Sequence, residues 1–227
     1  MFDADDWASG NDDVEEGATV ANRTMTQARL ERRRVIVAAA AGLFAACGYR
    51  AASMDEIACR SGISKPILYK SFSSKLELYL AVLDEAVHVL DETLSTSLGS
   101  ARDMQSVVVA TVTAVFDFAD LHPRSAALLA GAAVAEEPAA QRLAHRAGTI
   151  CTDAVTRALA PFPQPRIGQQ WLITAELVAI AQACARDWVA TGKPLSKHDA
   201  VATTAGLCWT GLAGIRSIRP QPSHTAE

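Results

Sequence analysis

Hydrophobic residues follow a helical pattern in this chain from about Thr26 to about Arg219. They recur every three or four positions, and no stretch shows the sustained two-residue alternation of a half-buried strand. The valine and isoleucine clusters lie within runs rich in alanine, which is the strongest helix former. The pattern therefore predicts an all-α protein.

Capping residues and helix breakers divide this pattern into nine predicted helices. Three come first, at about 27–47, 53–62 and 64–72, and Gly48, Gly62 and Ser64 mark their boundaries. Ser53-x-x-Glu56 is a capping box, and Pro66 falls in the first turn of the third helix, where its missing N–H is not needed. Six longer helices follow, at about 74–97, 103–121, 124–135, 138–160, 167–191 and 196–219.

Charge is distributed unevenly along the chain and supports a division into domains. Residues 1–22 carry a net charge of −7, residues 23–75 carry +7, and residues 76–227 carry −4. We predict a disordered acidic tail over 1–24, a basic domain over 25–75, a larger helical domain over 76–219 and a short tail over 220–227. The basic segment points to nucleic acid even though the whole chain is acidic.

Several other classes of protein are disfavoured. The five cysteines are odd in number and never form a Cys-x-x-Cys pair, which favours reduced, buried thiols in a cytoplasmic protein over a zinc or disulfide scaffold. The longest charge-free stretch, Ala200 to Ile215, is 16 residues and too short for a membrane span. Nucleophile, phosphate-loop and metalloprotease motifs are missing from the sequence, so we expect neither an enzyme nor a bound cofactor.

Residues 53–72 have the form of a helix-turn-helix. Two short helices meet at Arg60-Ser61-Gly62-Ile63, where Gly62 can adopt the left-handed conformation of the turn. Ile57, Ile63, Leu68 and Phe72 are expected to pack on the first helix, through its residues Val37, Ala41 and Phe44. This packing would expose a strip of the third helix that fits a major groove: Ser64, Lys65, Ile67, Tyr69 and Lys70.

Three segments carry a resemblance to a known family. Residues 39–49 read AAAGLFAACGY, residues 53–58 read SMDEIA, and residues 62–75 read GISKPILYKSFSSK. Together they resemble the N-terminal DNA-binding domain of the TetR family of transcriptional regulators over roughly residues 29–83. The resemblance implies an all-α homodimer that binds a double-stranded DNA operator through its third helix. It also implies that the larger domain binds a small-molecule effector.

The resemblance assigns expected roles to individual residues. Lys65, Pro66 and Ile67 occupy positions that meet base edges in relatives, Tyr69 and Lys75 occupy phosphate-contacting positions, and Ser53 meets the DNA backbone. Ser71 stands where a His or Tyr is usual, which weakens one expected phosphate contact. Asp55 stands where some relatives have a base-reading Arg, so the second helix is expected to contribute little to base recognition. One residue of the Arg32–Arg34 run is a further candidate for phosphate contact, and a solvated helix start is the alternative.

The larger domain offers candidate residues for an effector site and a dimer interface. Phe116, Leu128 and Trp171 could line a hydrophobic cavity with Glu176 as its polar group, and ordinary core packing is the alternative. Small residues recur every four positions along the ninth helix beside an apolar flank, a pattern typical of close helix packing within a chain or across a dimer. The candidates for the dimer interface are Ala202, Gly206, Leu207, Thr210 and Gly214.

These observations predict a cytoplasmic, homodimeric, ligand-responsive regulator, most simply a repressor released from a palindromic operator by a small hydrophobic effector. Two alternatives remain open. Ser71 and Asp55 would suit a helical small-molecule-binding protein that lacks specific DNA binding, and a helical enzyme is the less favoured third class.

Overall fold

A computed structural model describes residues 12–133, 136–162 and 169–217 of the chain. Within these ranges the backbone forms nine helices and no strand, which confirms the all-α prediction and the number of helices. The helices are α1 (Asp12–Ala51), α2 (Met54–Ser61), α3 (Lys65–Ser71), α4 (Lys75–Leu98), α5 (Met104–Leu121), α6 (Pro123–Ala133), α7 (Pro138–Leu159), α8 (Gln169–Ala190) and α9 (Lys197–Ser217).

The first helix begins earlier than the sequence predicted. It starts at Asp12, whereas the sequence predicted a start at about residue 27 after a disordered tail over residues 1–24. Glu15, Glu16 and Ala18 favour helix, and Gly17 in a helix costs only about 1 kcal/mol relative to alanine, which is too little to end one. Residues 1–11 and the predicted C-terminal tail over 220–227 lie outside the described residues.

Gly48 interrupts α1 where the sequence placed the end of the helix. Its φ of 78° and ψ of 165° lie outside the helical region, and φ in this range is easily adopted only by glycine. The next residues turn back so that the Ala52 N–H donates to the Gly48 carbonyl at 3.3 Å. This turn leads directly into α2.

The described residues separate into two compact units, one ending at Tyr79 and the other beginning at Leu80. The sequence had placed this boundary at residue 75. The difference arises because Leu78 and Tyr79, in the first turns of α4, are buried, and the Tyr79 ring packs on Phe44 and Tyr49 of α1. We call these the N-terminal unit and the C-terminal unit.

The N-terminal unit is built around a small apolar core. Ile57, Leu68 and Phe72 are fully buried as predicted, whereas Ile63 is only half-buried. On α1 Phe44 is buried as predicted, whereas Val37 and Ala41 are only half-buried. The buried stripe of α1 consists of Ile36, Ala40, Leu43 and Phe44.

In the C-terminal unit α5 is the central helix. It packs against α8 and α9, while α7 packs against α6 and α8. Asp103 and Ser106 cap the start of α5. The Asp103 carboxylate accepts from the Ser106 N–H at 2.7 Å, and the Ser106 hydroxyl accepts from the Asp103 N–H at 2.9 Å. The apolar side of α5 is buried at Val107, Val108, Val112, Val115 and Phe116.

A four-residue charge network connects the end of α5 to the residues around the start of α9. Lys193 Nζ lies 2.6 Å from Asp120 Oδ1, and Lys197 Nζ lies 2.9 Å from Asp117 and 3.0 Å from Asp120. Hydrogen bonds from Lys193 and Lys197 lower the pKa of Asp120. Asp117 and Asp120 in turn raise the pKa of Lys197.

Two stretches, Thr26–Ala51 and Met104–Leu121, are long and apolar enough to cross a membrane by length and composition alone. The core helix of a globular domain has the same properties. The second stretch is α5, which is central to the C-terminal unit, and the apolar half of the first packs against α2.

The cysteines differ from expectation in part. Cys151 is buried, and its burial raises the pKa of the thiol to about 12. Cys184 and Cys208 are half-buried, and Cys47 and Cys59 are exposed, so the prediction of five buried thiols is wrong for the last two.

Candidate nucleic-acid interface

Local hydrogen bonds fix both ends of α2, including the turn that leads to α3. Ser53 Oγ accepts from the Glu56 N–H at 3.1 Å and caps α2, as predicted. The Glu56 carboxylate does not complete the expected box, because it accepts from Arg60 at 2.9 Å instead. Gly62 has φ 68° and donates its N–H to the Cys59 carbonyl at 3.3 Å, which confirms its predicted left-handed conformation.

Helix α3 presents one side to the core and the other to solvent. Leu68 and Phe72, which follows the helix, are fully buried. Ser64 is the N-cap residue, and its carbonyl accepts the first helical hydrogen bond from the Leu68 N–H at 2.9 Å. The remaining side chains form one continuous exposed surface, which we call the recognition face: Ser64, Lys65, Pro66, Ile67, Tyr69 and Lys70. Ammonium and phenol groups held on a short helix can donate hydrogen bonds to base edges and to phosphates.

Lys65 is paired with a carboxylate from the preceding helix. Its Nζ lies 2.7 Å from Asp55 Oδ2, and the two side chains are 58% and 65% exposed. The sequence had assigned α2 little part in base recognition because Asp55 is not an arginine. The structure instead brings Asp55 to the recognition face, beside its first lysine.

Lys75 makes internal contacts that the sequence did not predict. Its Nζ donates to three backbone carbonyls at the end of α1, those of Tyr49 at 2.9 Å, Arg50 at 3.3 Å and Ala52 at 3.0 Å. It also lies 4.6 Å from the centroid of the Tyr49 ring. An ammonium group has three donors, and here each has a carbonyl partner, which favours an internal role over the predicted phosphate contact.

An aromatic cluster surrounds the Lys75 contact. The Tyr49 and Tyr79 rings lie 4.8 Å apart, and Phe44 packs edge-on against Tyr79 at 5.1 Å. Burial raises the pKa of the Tyr79 phenol. Lys75 and this cluster together join the end of α1 to the start of α4.

Arg33 contacts the C-terminal end of α3. Its guanidinium lies 4.2 Å from the centroid of the Phe72 ring and donates to the Ser71 carbonyl at 3.4 Å. This contact was not predicted, since nothing in the spacing of three consecutive arginines indicates which one turns inward. Ser71 uses its own hydroxyl within the helix, donating to the Ile67 carbonyl at 2.9 Å.

The segment between α3 and α4 contains a further carboxylate contact. Glu77 accepts from both the backbone N–H and the hydroxyl of Ser73 at 2.7 Å. These two hydrogen bonds lower the pKa of Glu77, and Arg33 lowers it further. The loop is thus held by side chains from α1 and α4.

The four predicted effector residues do not form one site. Phe116 is 1% exposed and packs 5.6 Å from Trp188, and Leu128 is also in the core. Trp171 is 68% exposed, and Glu176 is exposed as well. These two side chains do not join Phe116 and Leu128 in the core, because α8 has apolar residues on more than one side and the side carrying Trp171 does not face the core. An effector site at these residues stays a prediction.

A groove of about 500 Å³ lies elsewhere, where the end of α4 approaches the start of α5. Its polar wall includes Ser97, Ser100 and Gln105, and its apolar wall includes Val109. It is open to solvent and contains none of the predicted effector residues.

The predicted dimer residues share one exposed surface in the single chain. Ala202, Gly206, Leu207, Thr210 and Gly214 are all exposed. A Cβ added at Gly206 or Gly214 would meet no heavy atom within 4 Å. The small-residue ridge is therefore not used for packing within the described part of the chain, and its role in a dimer stays a prediction.

Comparison with known proteins decides the family. Residues 36–82 match the model of bacterial regulatory proteins of the tetR family. Over 191 residues the chain is 37% identical to the HTH-type transcriptional activator FasR of Mycolicibacterium smegmatis, an alignment that covers 84% of this chain and 87% of that protein. The chain belongs to the TetR family. It is accordingly a transcriptional regulator with an N-terminal DNA-binding domain, and not an enzyme.

Solved structures of TetR-family proteins have the same fold. A TetR-like regulator from Rhodococcus sp. RHA1 superposes with a TM-score of 0.68 at 25% identity, covering 81% of this chain and 96% of that one. FadR from Bacillus subtilis in complex with stearoyl-CoA gives a TM-score of 0.66 at 14% identity, covering 80% and 98%. At that identity the second likeness shows the fold alone.

Proposed function

We propose that this TetR-family regulator acts as a homodimer on an operator with two half-sites, in the cytoplasm of a bacterial cell. The observation that carries the proposal is the recognition face, where every predicted contact residue on α3 is exposed while Leu68 and Phe72 anchor the helix from behind. Two such helices can enter successive major grooves if they are about 34 Å apart.

The exposed apolar surface of α8 and α9 supports the dimer. Trp171 is 68% exposed, Leu172 48% and Leu207 66%. Exposure of large apolar side chains to water is unfavourable, and full burial of each one stabilises the assembly by roughly 1.5–3 kcal/mol. The adjacent ridge of small residues would let a second helix approach closely, so a four-helix interface made from α8 and α9 of two chains fits both features.

A small hydrophobic effector is the proposed signal. Phe116 and Trp188 are closely packed between α5 and α8, so a ligand that enters this core has to move the two helices apart. A ligand that binds better to the altered conformation shifts the population toward it, which is the requirement for control of DNA affinity. Stearoyl-CoA is a suitable first probe, since a protein of the same fold binds it.

The sign of regulation depends on where the operator lies relative to the promoter. The sequence alone suggested repression. The relative from Mycolicibacterium smegmatis is named an activator and is similar over most of both chains, and this favours activation as the proposal. Transcription from a promoter that carries the operator, with and without the protein, distinguishes the two.

Fluorescence anisotropy on the DNA upstream of the chain's own gene tests the proposal. We expect the protein to bind this DNA more tightly than a scrambled duplex at the same salt concentration, and stearoyl-CoA to weaken the complex. Equal affinity for both duplexes would contradict operator recognition. It would favour the alternative of a helical small-molecule-binding protein.

A further inference from the structure

The ion pair between Asp55 and Lys65 places a carboxylate on a surface that is otherwise basic. It joins the first turn of α2 to the first residue of α3 at 2.7 Å, and both side chains are more than half exposed. Exposed ion pairs contribute little to stability because water screens them. The two helices are already joined by the Gly62 turn and by the buried side chains of Ile57 and Leu68.

This carboxylate should also weaken general attraction to DNA. It neutralises one of the two ammonium groups on the recognition face and repels phosphates, which supply most of the sequence-independent affinity. The helix dipole favours an acid in the first turn of α2, but Glu56 occupies the same turn and makes no contact with Lys65. The dipole therefore explains an acid here but not its pairing with a lysine of the recognition face. The geometry of Asp55 relative to Lys65 suggests a direct role in recognition.

A donor and an acceptor 2.7 Å apart are complementary to the major-groove edge of a G·C pair. Guanine O6 is an acceptor, cytosine N4 is a donor, and the two are hydrogen-bonded to each other at roughly 2.9 Å. Lysine is a common partner of guanine O6 and N7, and aspartate can accept from cytosine N4. A T·A pair offers the same order of acceptor and donor, thymine O4 followed by adenine N6. Only guanine, however, has a second acceptor, N7, beside the first, where it can accept from a second ammonium donor.

We propose that Asp55 is a specificity-determining residue that reads one G·C pair in each half-site together with Lys65. The inference rests on the proposed function, in which α3 enters the major groove. Because the pair has a fixed polarity, the ammonium faces guanine and the carboxylate faces cytosine. The exchanged pair, C·G, would set donor against donor and acceptor against acceptor.

The test selects binding sites from a random duplex library with the full-length protein, its Asp55→Asn and Lys65→Ala variants and a matched control, Glu56→Gln. Glu56 lies next to Asp55 on α2 but pairs with Arg60 at 2.9 Å. Its substitution removes the same charge without touching Lys65. Anisotropy then compares the selected duplex with one in which the G·C pair is exchanged for C·G.

We expect the wild type to prefer G·C by about tenfold or more, within the range that one good base contact contributes. Asp55→Asn and Lys65→Ala should lose most of this preference at the same position, since an amide can present either a donor or an acceptor. Glu56→Gln should retain the preference. Both Asp55→Asn and Glu56→Gln should bind scrambled DNA somewhat more tightly, because each loses a negative charge.

Retention of the preference in Asp55→Ala would overturn the proposal, as would its loss at a different base pair from the one affected by Lys65→Ala. A library that yields no consensus with the wild type would instead contradict operator recognition itself, and the proposal with it. Circular dichroism checks that each variant folds. Asp55→Ala, which removes the acceptor altogether, serves as the second variant with the same expected loss.

Discussion

The recognition face of the N-terminal unit and the outer sides of α8 and α9 in the C-terminal unit expose different kinds of side chain. In the N-terminal unit the exposed face of α3 carries lysines, a tyrosine and a single large aliphatic residue, Ile67. In the C-terminal unit the exposed sides of α8 and α9 carry Trp171, Leu172 and Leu207. A polar surface is stable in water on its own, whereas a large apolar surface is more stable when a partner covers it. The comparison suggests that one chain forms a complete DNA-reading surface but only half of the proposed dimer interface.

The treatment of charged groups shows a second difference. The N-terminal unit has exposed ion pairs such as Asp55–Lys65, but two of its cations contact backbone or an aromatic ring instead: Lys75 binds three carbonyls of α1 and its neighbours, and Arg33 stacks on Phe72. In the C-terminal unit the network of Asp117, Asp120, Lys193 and Lys197 connects side chains to one another. The first arrangement fixes the position of a reading helix, and the second secures the segment that leads into α9.

The largest predicted effect concerns the incomplete surface. Gly206→Glu should abolish the dimer, because an unpaired carboxylate buried against a second helix costs about 3–5 kcal/mol, equivalent to at least about 100-fold in affinity. The monomer should remain folded, since a Cβ at Gly206 meets nothing within 4 Å. Sedimentation velocity measures the outcome.

Gly131→Glu is the matched control, since Gly131 is also an exposed helical glycine with open space around it. It should remain dimeric. If Gly206→Glu also remains dimeric, α9 is not the interface and the difference between the two units has another explanation.

The next effect concerns the anchoring of the reading helix. Leu68→Ala removes a fully buried side chain from α3 and should lower the free energy of unfolding by about 2–5 kcal/mol. DNA binding should fall with it, because the recognition face depends on this anchor. Urea unfolding followed by circular dichroism checks the prediction. The exposed Ile67→Ala should change stability by much less, and equal destabilisation by the two would contradict the assigned orientation of α3.

Lys75→Met separates an internal contact from a phosphate contact. Methionine keeps much of the side-chain stem but loses the hydrogen bonds to three carbonyls, so stability should fall by about 1–3 kcal/mol. The slope of log affinity against log salt should stay the same, since no phosphate contact is lost. A slope that falls by about one for each Lys75 removed would show that this lysine binds phosphate after all.

The smallest effect depends on pH. Contacts with Lys193 and Lys197 lower the pKa of Asp120, so its contribution to stability is fully present above its unfolded-state pKa, near 4, and is lost as pH falls through the lower folded value. Asp120→Asn should therefore destabilise the protein by about 1 kcal/mol or less at pH 7, because such pairs are partly screened. The difference from the wild type should shrink below about pH 4. Urea titrations at pH 7 and pH 3 measure it, and a constant difference would contradict the assigned pairing.

Local signals made most of the N-terminal unit predictable. Ser53 and Gly62 mark the ends of α2 through hydrogen bonds and a backbone conformation that depend on adjacent residues. Leu68 and Phe72 follow the spacing of buried positions on α3. For such features a few residues of sequence contain the physical cause.

Contacts between distant residues were not predictable in the same way. Lys75 reaches carbonyls more than twenty positions earlier, and its sequence neighbours give no sign of this. Asp55 and Lys65 have opposite charges at the starts of consecutive helices, a signal that is visible only once the turn geometry is known. In the C-terminal unit Trp171 and Phe116 are equally apolar in sequence, and only packing distinguishes the exposed ring from the buried one.

The salt dependence of DNA binding tests the central claim most directly, namely that the recognition face binds a DNA duplex. Affinity for the DNA upstream of the gene is measured by anisotropy between 50 and 200 mM salt. With roughly 6–10 phosphates neutralised by the dimer, the account predicts that affinity falls by about 10³–10⁵ over this range. An affinity that hardly changes with salt would contradict it.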